Sequence, residues 1–441
     1  MYKTRTEMLA AIQEVLPSNS SLVSADMQKR IQDTLIDSLI TTAVFHSDQA
    51  IKAQARAYIR DLAKKLGIYP ASTHELYTAF GEGKVSGFTI PAINIRALTY
   101  DTAVVIFTLL KKLDATACIF EIAKSEMVYT DQRPDEYAVS ILAAAIKSGY
   151  KGPVFLQGDH LQLSKRRFAE DEQKELSDMK SLIKEAIEAE FFNIDIDAST
   201  LVDLTKPSEE TQQIVNAMVT ARLTTYVRSL QPKNCMISVG GEIGHIGGKN
   251  STVKDFQAFM KDYQVLIPKN GISKVSVQTG SSHGGVPLPD GTIAEVKLDF
   301  DVLYAIGEIA RNTYHIGGAV QHGASTLPPE FFGEFPKAGT LEIHLATGFQ
   351  NIVYDNLPSS LKQEVYTWLK HDRKEEWEEG WTEEQFLYKT RKKAIGPFKK
   401  RFWDLSDEEK KPIRDALEKQ LLFLFEKLQV IHTREAVAAY A

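Results

Sequence analysis

Hydrophobic and polar positions divide the 441-residue chain into three zones. In residues 1–86 the apolar positions recur at helical spacing, as in "TEMLAAIQEVL" and "DQAIKAQARAYIRDLAKKLGI", which predicts helices. From residue 87 to residue 352, short β-rich runs alternate with helix-length intervals. Residues 353–441 are helical in pattern and heavily charged, and they include the amphipathic stretch "IRDALEKQLLFLFEKLQV". We therefore expect a central domain between two helical extensions.

The middle zone contains eight strand candidates. They are "GFTIPAIN", "ACIFEIA", "GPVFLQGDH", "FFNIDIDAS", "CMISVGGEIG", "KVSVQTGSSHG", "GGAVQHGAS" and "LEIHLATGFQ". Strands that alternate with helix-length intervals predict parallel strands joined by crossover helices. The zone spans about 265 residues, close to the ~250 residues typical of a (β/α)8 barrel. The predicted fold class is α/β, a (β/α)8 TIM barrel over residues 87–352.

Composition narrows the function classes. The net charge is −6 and the isoelectric point is about 6.0, so the chain carries no electrostatic footprint for nucleic acid. No stretch reaches the ~18 uninterrupted apolar residues of a membrane span. The two cysteines, Cys118 and Cys235, each lie in an apolar run and indicate reduced thiols. We expect a cytoplasmic protein without nucleic-acid or membrane partners.

Polar residues follow the predicted strands, most with a glycine nearby. They are Asn94, Asp159, His160, Asp197, Glu242, His283 and His322. The carboxyl ends of barrel strands meet at one mouth, where active sites are built. Histidines and carboxylates from separate strand ends suit a divalent metal such as zinc, with a position left open for substrate. Each residue alone has a plainer interpretation, such as a helix cap for Asp197, and His245, His315 and His344 are competing ligands. The joint pattern favours a metal site.

The order "PAIN … GDH … IDAS … GGEIGHIGG … SSHGG … QHGAS" resembles the class II, metal-dependent fructose-bisphosphate/tagatose-bisphosphate aldolases over roughly residues 87–352. The resemblance implies a barrel-mouth zinc, or another divalent metal, held by His160, His283 and His322. It places Asp197 and Glu242 on ligands of an alternative metal position, and Asp159 on a catalytic aspartate that helps protonate the reacting carbon. The substrate-binding positions that it implies are Asn94, Gly284, Gly323, Ser325 and Thr347. A monovalent cation is a second cofactor that this resemblance allows.

The catalytic base is where the chain departs from that family. The acidic pair expected after "GG" is replaced by Lys249 and Asn250. A base must reach the proton that it removes, and the candidates are Glu126, His344 and Asp255. Glu126 and His344 are preferred because both follow predicted strands, whereas Asp255 is expected to cap a helix. We expect Lys124 to supply positive charge for a phosphate or carboxylate; the alternative is a surface ion pair between Lys124 and Glu126.

The resemblance implies reversible aldol cleavage and condensation of a phosphorylated ketose, such as fructose 1,6-bisphosphate. A zinc ion that chelates the ketose carbonyl and a neighbouring hydroxyl stabilises an enediolate. The stretch "FEIAKSEMVYTDQRPDEY" resembles instead non-catalytic tagatose-bisphosphate aldolase subunits and the tagaturonate epimerases related to them. Two alternatives therefore stay open: a metal-dependent epimerase of a ketose or keto-uronate, and a non-catalytic subunit. The three-histidine set argues against the latter. The expected partners are a sugar phosphate and further copies of the chain in a homo-oligomer, a dimer or tetramer.

Overall fold

A computed structural model describes residues 1–16, 23–244, 249–280 and 298–441. Within these ranges, nine strands form one parallel sheet. The strands are β1 (Ile68–Ala71), β2 (Ile90–Asn94), β3 (Ile119–Ala123), β4 (Gly152–Gln162), β5 (Asn193–Asp197), β6 (Ser238–Glu242), β7 (Lys274–Val277), β8 (Ala319–Gln321) and β9 (Glu342–Leu345).

Strands β2 to β9 close into an eight-stranded parallel barrel. Each pairs with the next along the chain, and β9 pairs with β2 through contacts such as Ala92 with His344. All eight predicted runs are strands of this barrel, so the predicted (β/α)8 architecture is confirmed. The closed order brings every strand's carboxyl end to the same mouth.

Strand β1 is a feature that the sequence pattern did not predict. It lies in the zone expected to be helical and pairs in parallel with the first half of β4, from Ile68 opposite Gly152 to Ala71 opposite Phe155. The second half of β4 pairs with β5 instead. Pro70 has no amide hydrogen to donate, which suits this short edge strand. Strand β4 therefore has two partners in succession along one edge.

Helices fill the intervals and both extensions. The N-terminal ones are α1 (Arg5–Val15), α2 (Ala25–Arg30), α3 (Ile36–Phe45), α4 (Gln49–Lys65) and α5 (His74–Gly81). Those between strands are α6 (Thr99–Lys112), α7 (Lys124–Tyr129), α8 (Pro134–Ser148), α9 (Lys165–Glu170), α10 (Glu172–Glu188), α11 (Glu209–Leu230), α12 (Val253–Leu266), α13 (Phe300–Tyr314) and α14 (Glu334–Lys337). The last are α15 (Thr347–Asp355), α16 (Ser359–Asp372), α17 (Glu383–Thr390), α18 (Lys399–Trp403), α19 (Asp407–Lys427) and α20 (Arg434–Ala438). Among the described residues, none of these helices has the length and apolar character needed to cross a bilayer.

Both extensions pack against barrel helices. Arg56 and Arg60 of α4 reach Asp135 at the start of α8, each at 2.7 Å. Lys410 of α19 lies 3.0 Å from Asp101 of α6. Beyond α17, the amide of Gly396 donates to the carbonyl of Tyr129 at the end of α7, at 3.1 Å. The C-terminal extension thus reaches the loops at the barrel mouth.

Candidate active site

A cavity of about 610 Å³ opens at the carboxyl ends of the barrel strands. Most of the predicted site residues line it: Asn94, Lys124, Glu126, Asp159, His160, Glu242, His322, Gly323, Ser325, His344 and Thr347. Asp197 does not line the cavity, but it contacts His160. His283 and Gly284, also predicted, lie outside the described residues. The fold therefore gathers side chains from β2, β3, β4, β6 and β9 into one chamber.

A bulge in β4 explains how two neighbouring residues, Asp159 and His160, both face this cavity. Successive side chains of a regular strand point to opposite faces of the sheet. Here the β4–β5 register shifts between Gly158 and Leu161, and His160 has a φ of 39°. A positive φ is uncommon for a residue other than glycine, and bulges often redirect side chains beside active sites. The strand thus continues through Gln162 and does not end at the Asp-His pair.

The outer cluster consists of His160, Asp197, Glu242 and His322. Ligand atoms of His160, Glu242 and His322 lie within 4.8 Å of one another. His160 Nδ1 lies 3.1 Å from Asp197 Oδ2 and 3.2 Å from Glu242 Oε2. Two imidazoles with carboxylates beside them form a donor set that zinc and similar divalent ions prefer. The residues present therefore fit the predicted metal.

Electrostatics in the outer cluster are dominated by burial and mutual contact. Burial and then the charge of Asp197 raise the pKa of Glu242 to about 7. Burial also acts to raise the pKa of Asp197, but hydrogen bonds from His160, Ser199 and Gln162 lower it below its usual value. For His160, burial opposes the charged form, yet the carboxylates of Asp159 and Glu242 raise its pKa well above the usual value. Because these carboxylates and imidazoles lie close together, a charge added to the cluster would shift the pKa values of its members.

The inner cluster consists of Glu121, Asp159 and His344. His344 Nδ1 lies 3.0 Å from Glu121 Oε2 and 3.1 Å from Asp159 Oδ1. The His344 ring stacks on that of His322, with ring centroids 4.0 Å apart, and the His322 centroid is 4.1 Å from that of His160. The inner and outer clusters are therefore contiguous. His344, predicted as a candidate base, lies beside the predicted ligands.

Beneath the inner cluster lies a buried polar network that the sequence pattern did not reveal. Lys274 Nζ is fully buried and lies 2.7 Å from Glu342 Oε1, 2.9 Å from Asp195 Oδ2 and 2.8 Å from Gln157 Oε1. Glu342 Oε1 is 2.8 Å from His344 Nε2, and the hydroxyl of Tyr77 donates a hydrogen bond to Glu342 Oε2. Barrel interiors are usually filled by branched apolar side chains. This network links the barrel interior to the site.

The remaining acidic candidates are engaged elsewhere. Glu126 accepts hydrogen bonds from Arg96 at 2.8 Å and from the Ala123 amide at 2.7 Å, as well as one from Asn94. Asp255 forms a capping box with Thr252 at the start of α12, as expected from the sequence. Lys124 donates to the Gln162 carbonyl at 2.9 Å and lies 3.4 Å from Glu175. The alternative of an ion pair between Lys124 and Glu126 is therefore wrong.

One part of the cavity wall is cationic and was missed from the sequence. Arg96 follows β2, and Lys389 and Lys392 come from α17 and the short 3-10 helix Arg391–Ala394 of the C-terminal extension. Arg96 NH1 donates to Thr347 Oγ1 at 3.3 Å and to Gln350 Oε1 at 3.1 Å. Burial and then the charge of Arg96 lower the pKa of Lys392. Among the described residues, Lys392 has no ion-pair partner. This wall is suited to an anion.

The glycine-rich turn after β8 lies at the same cavity. Gly323 adopts a left-handed conformation with a φ of 68°, which glycine accepts without steric cost. Ser325 Oγ accepts a hydrogen bond of 3.1 Å from the amide of Gly348 in the first turn of α15. Thr347, at the start of the same helix, contacts Arg96. Gly323, Ser325 and Thr347, three of the predicted substrate-binding positions, thus lie close to the cationic wall.

A comparison with known protein families shows to which family this chain belongs. The family model for fructose-bisphosphate aldolase class-II matches residues 74–402. The chain belongs to this family. The matched residues include the whole barrel and part of the C-terminal extension, including Lys389 and Lys392. Membership supports an aldolase of the lyase class.

Solved structures share the fold of this class II aldolase family member at low identity. A fructose-bisphosphate aldolase from Campylobacter jejuni is 15% identical, with 83% of this chain and 96% of that chain covered and a TM-score of 0.50. A probable tagatose 6 phosphate kinase from Sinorhizobium meliloti is 14% identical, with 77% and 100% covered and a TM-score of 0.57. A comparison with curated proteins finds no match. These similarities concern the fold alone.

Proposed function

We propose that the protein is a metal-dependent class II aldolase acting on a phosphorylated ketose such as fructose 1,6-bisphosphate. The observation that most supports this is the grouping of His160, Glu242 and His322 beside Asp159 at the barrel mouth. In the reaction, the bond between the α and β carbons of the ketose is broken or formed, and the carbonyl takes up the electron pair of that bond as an enediolate. The site must therefore polarise that carbonyl and move protons on and off the substrate.

The proposed metal ligands are His160, His322 and His283, with Asp197 and Glu242 serving an alternative position. A bound zinc, or another divalent ion, supplies a Lewis acid for the substrate carbonyl. Asp197 is held by Ser199 Oγ at 2.7 Å and by Gln162 Nε2 at 2.6 Å, so it orients the His160 ring. Such support of a ligating histidine fixes its orientation and raises its basicity.

The proposed proton-transfer groups are Asp159 and His344. Both line the cavity and contact each other, with 3.1 Å between Asp159 Oδ1 and His344 Nδ1. Glu126, the other preferred candidate, pairs with Arg96 and accepts hydrogen bonds from Asn94 and Ala123, so both of its oxygens are already engaged. His344 and Asp159 therefore replace the acidic pair that the chain lacks after Gly248.

The proposed anion contacts are Arg96, Lys389 and Lys392 together with Gly323, Ser325 and Thr347. Charge-assisted hydrogen bonds to phosphate are stronger than neutral ones. Lys124, predicted for this role, also lines the cavity, but its ammonium is shared with Gln162 and Glu175. We therefore assign the larger part of the phosphate contact to Lys392, with Arg96, whose guanidinium also pairs with Glu126, as a second contact. A monovalent cation, a cytoplasmic location and a homo-oligomer stay predictions.

A second candidate function, epimerisation of a ketose or keto-uronate, is favoured by one observation. Carboxylates lie in two groups along the row of three imidazoles, Asp159 and Glu121 near His344 and Asp197 and Glu242 near His160. An epimerase needs proton-transfer groups on two faces of the reacting carbon. The cationic wall suits the carboxylate of a keto-uronate as well as a phosphate.

The deciding experiment is a substrate comparison with the purified chain loaded with zinc. Fructose 1,6-bisphosphate, tagatose 1,6-bisphosphate and tagaturonate are each supplied, and the products are identified by chromatography and NMR. Triose phosphates from either bisphosphate support the aldolase. Stereoisomers without bond cleavage support the epimerase. The absence of turnover with all three, in a chain that binds zinc, contradicts both.

A further inference from the structure

We propose that the exposed face of helix α11 binds the same face of a second copy of this chain, in an antiparallel and two-fold symmetric pair. Such a pair would be the predicted homo-oligomer, or one half of it. It would form whichever reaction the barrel mouth catalyses, because the contact lies on the outside of the barrel.

A group of exposed apolar side chains on α11 is the first argument. Ile214, Val215 and Met218 are between 38% and 48% exposed, and Leu204, in the loop before the helix, is more than half exposed. Residues three or four positions apart lie on the same side of a helix, so the three side chains of α11 form one patch. Single exposed apolar side chains are normal, whereas a group on one face marks an interaction site.

The opposite, buried face of α11 is the second argument. Its residues include the polar side chains Gln213, Asn216, Thr220 and Thr224. Asn216 Nδ2, for example, donates to the carbonyl of Glu242 at 2.8 Å. Surface helices usually direct their polar residues to solvent and their apolar residues to the core. In this part of α11 the arrangement is partly reversed, as expected for a helix whose outer face is covered by a partner.

The charges at the two ends of the patch are complementary, which is the third argument. Four exposed residues follow one another at intervals of four and form one ridge along α11: Glu210, Ile214, Met218 and Arg222. In a two-fold contact, residue i of one copy meets residue j of the other, and j meets i. Antiparallel pairing centred midway along this ridge therefore places Ile214 against Met218 of the second copy. The same pairing places Glu210 against Arg222 of the second copy.

Arg222 can make this contact while it keeps its present one. Its guanidinium pairs with Glu172 at the start of α10 in the same chain, yet the Arg222 side chain is 50% exposed. A guanidinium has five N–H donors, so it can bind a second carboxylate. Charges at the rim of an interface fix its orientation more than its affinity. Burial of the apolar side chains therefore supplies most of the affinity, and the two charge pairs select the antiparallel orientation.

The first test is the mass of the full-length chain in solution, measured by size-exclusion chromatography with light scattering over a wide range of concentration. We expect a dimer, or a tetramer that contains this pair. Met218→Glu places a carboxylate against Ile214 of the second copy and should halve the mass, while circular dichroism shows that the variant is folded. Tyr304→Glu is the matched control: Tyr304 lies on α13 and is also about half exposed, and this variant should keep the wild-type mass.

Charge reversal tests the antiparallel orientation. Glu210→Arg and Arg222→Glu each place like charges together at both ends of the pair and should raise the dissociation constant by roughly tenfold or more. Mixing these two variants should restore association, because every arginine then meets a glutamate, and native mass spectrometry identifies the mixed dimer. A monomeric wild type, or a folded Met218→Glu variant that keeps the wild-type mass, overturns the inference. A mixture that associates no better than either variant alone overturns it as well.

Discussion

At the scale of single residues, Asp159 and His160 have different tasks although they are adjacent. His160 contacts the outer carboxylates Asp197 and Glu242, whereas Asp159 contacts His344. The bulge in β4 gives each side chain its own direction. One residue can therefore be replaced without removing the other from its cluster.

Replacing Asp159 by Asn should lower kcat by ~10²-fold or more, the usual scale for loss of a general acid or base. Asparagine has nearly the same shape, so the melting temperature and the ion at the outer cluster should be retained. Asp255→Asn is the control, because Asp255 caps α12 and should leave kcat unchanged. Near-normal turnover in Asp159→Asn, measured with the best substrate found, would remove Asp159 from the mechanism.

Replacing Lys392 by Met should raise KM for an anionic substrate by roughly ten- to a hundredfold, since a hydrogen bond to a charged group contributes about 1.5–3 kcal/mol. The value of kcat should change little, because the proposed contact of Lys392 is with the phosphate and not with the reacting carbon. Lys393→Met is a matched neighbour whose ammonium pairs with Glu376, and its KM should stay close to that of the wild type. Equal KM values in the two variants would contradict the anion contact.

The sequence predicts some residues of the site and not others. Asn94, His160, Glu242 and His322 follow apolar strand runs, so their convergence at the cavity was predictable. Arg96 also follows a strand, two residues after Asn94. That position could have identified it as a site residue. Lys392 lies in a charged helical segment whose pattern is typical of a solvated surface, and only the tertiary fold turns it inward.

At the scale of elements, strand β6 shows why particular positions must be small. Gly240 and Gly241 face opposite sides of β6. A Cβ at Gly240 would overlap Asp195 Oδ1 and lie 2.9 Å from Lys274 Cε. The glycine therefore makes room in the barrel for the ion pair between Lys274 and Asp195.

Gly240→Ala should destabilise the protein by about 1–3 kcal/mol, the usual cost of overfilling a packed interior. Both atoms that the new methyl group meets belong to a buried ion pair, so they have little freedom to move aside. Gly333→Ala is the control, because a Cβ there meets nothing closer than 3.9 Å and the residue has no positive φ. Chemical unfolding that gives equal stability for the two variants would contradict this account of β6.

The strands and most helices were predictable because their hydrophobic periods are strong, whereas β1 was not. Its four residues "IYPA" are too few to show alternation, and they include a proline. Lys274 is the first residue of β7, and the closed barrel buries it completely. A side chain inside the barrel is buried by the strands that meet around it. The local sequence pattern does not show which strands those are.

At the scale of the whole molecule, ion pairs fasten the N-terminal extension to the barrel. Asp135 at the start of α8 forms ion pairs with both Arg56 and Arg60 of α4. Burial acts to raise the pKa of Asp135, but the two arginines outweigh it and lower the pKa below its usual value. Asp135 therefore stabilises the folded protein while it is ionised.

The stability difference between wild type and Asp135→Asn should be largest at neutral pH and should disappear in acid. The stabilisation is complete above the unfolded-state pKa of about 3.9 and is lost as the pH falls through the lower folded-state value. Urea unfolding of both proteins from pH 7 to below pH 3 measures it. A difference that stays constant down to the lowest pH would show that Asp135 acts through packing instead.

The position of the cationic wall in the chain has a consequence for biosynthesis. Strand β9 ends at Leu345, and Lys389 and Lys392 follow roughly fifty residues later, which the ribosome adds in several seconds at about 5–20 residues per second. The histidines and carboxylates of both clusters are therefore translated before the lysines that would hold an anionic substrate. In the nascent chain, the proposed metal site is therefore complete before the proposed anion site, which still awaits Lys389 and Lys392.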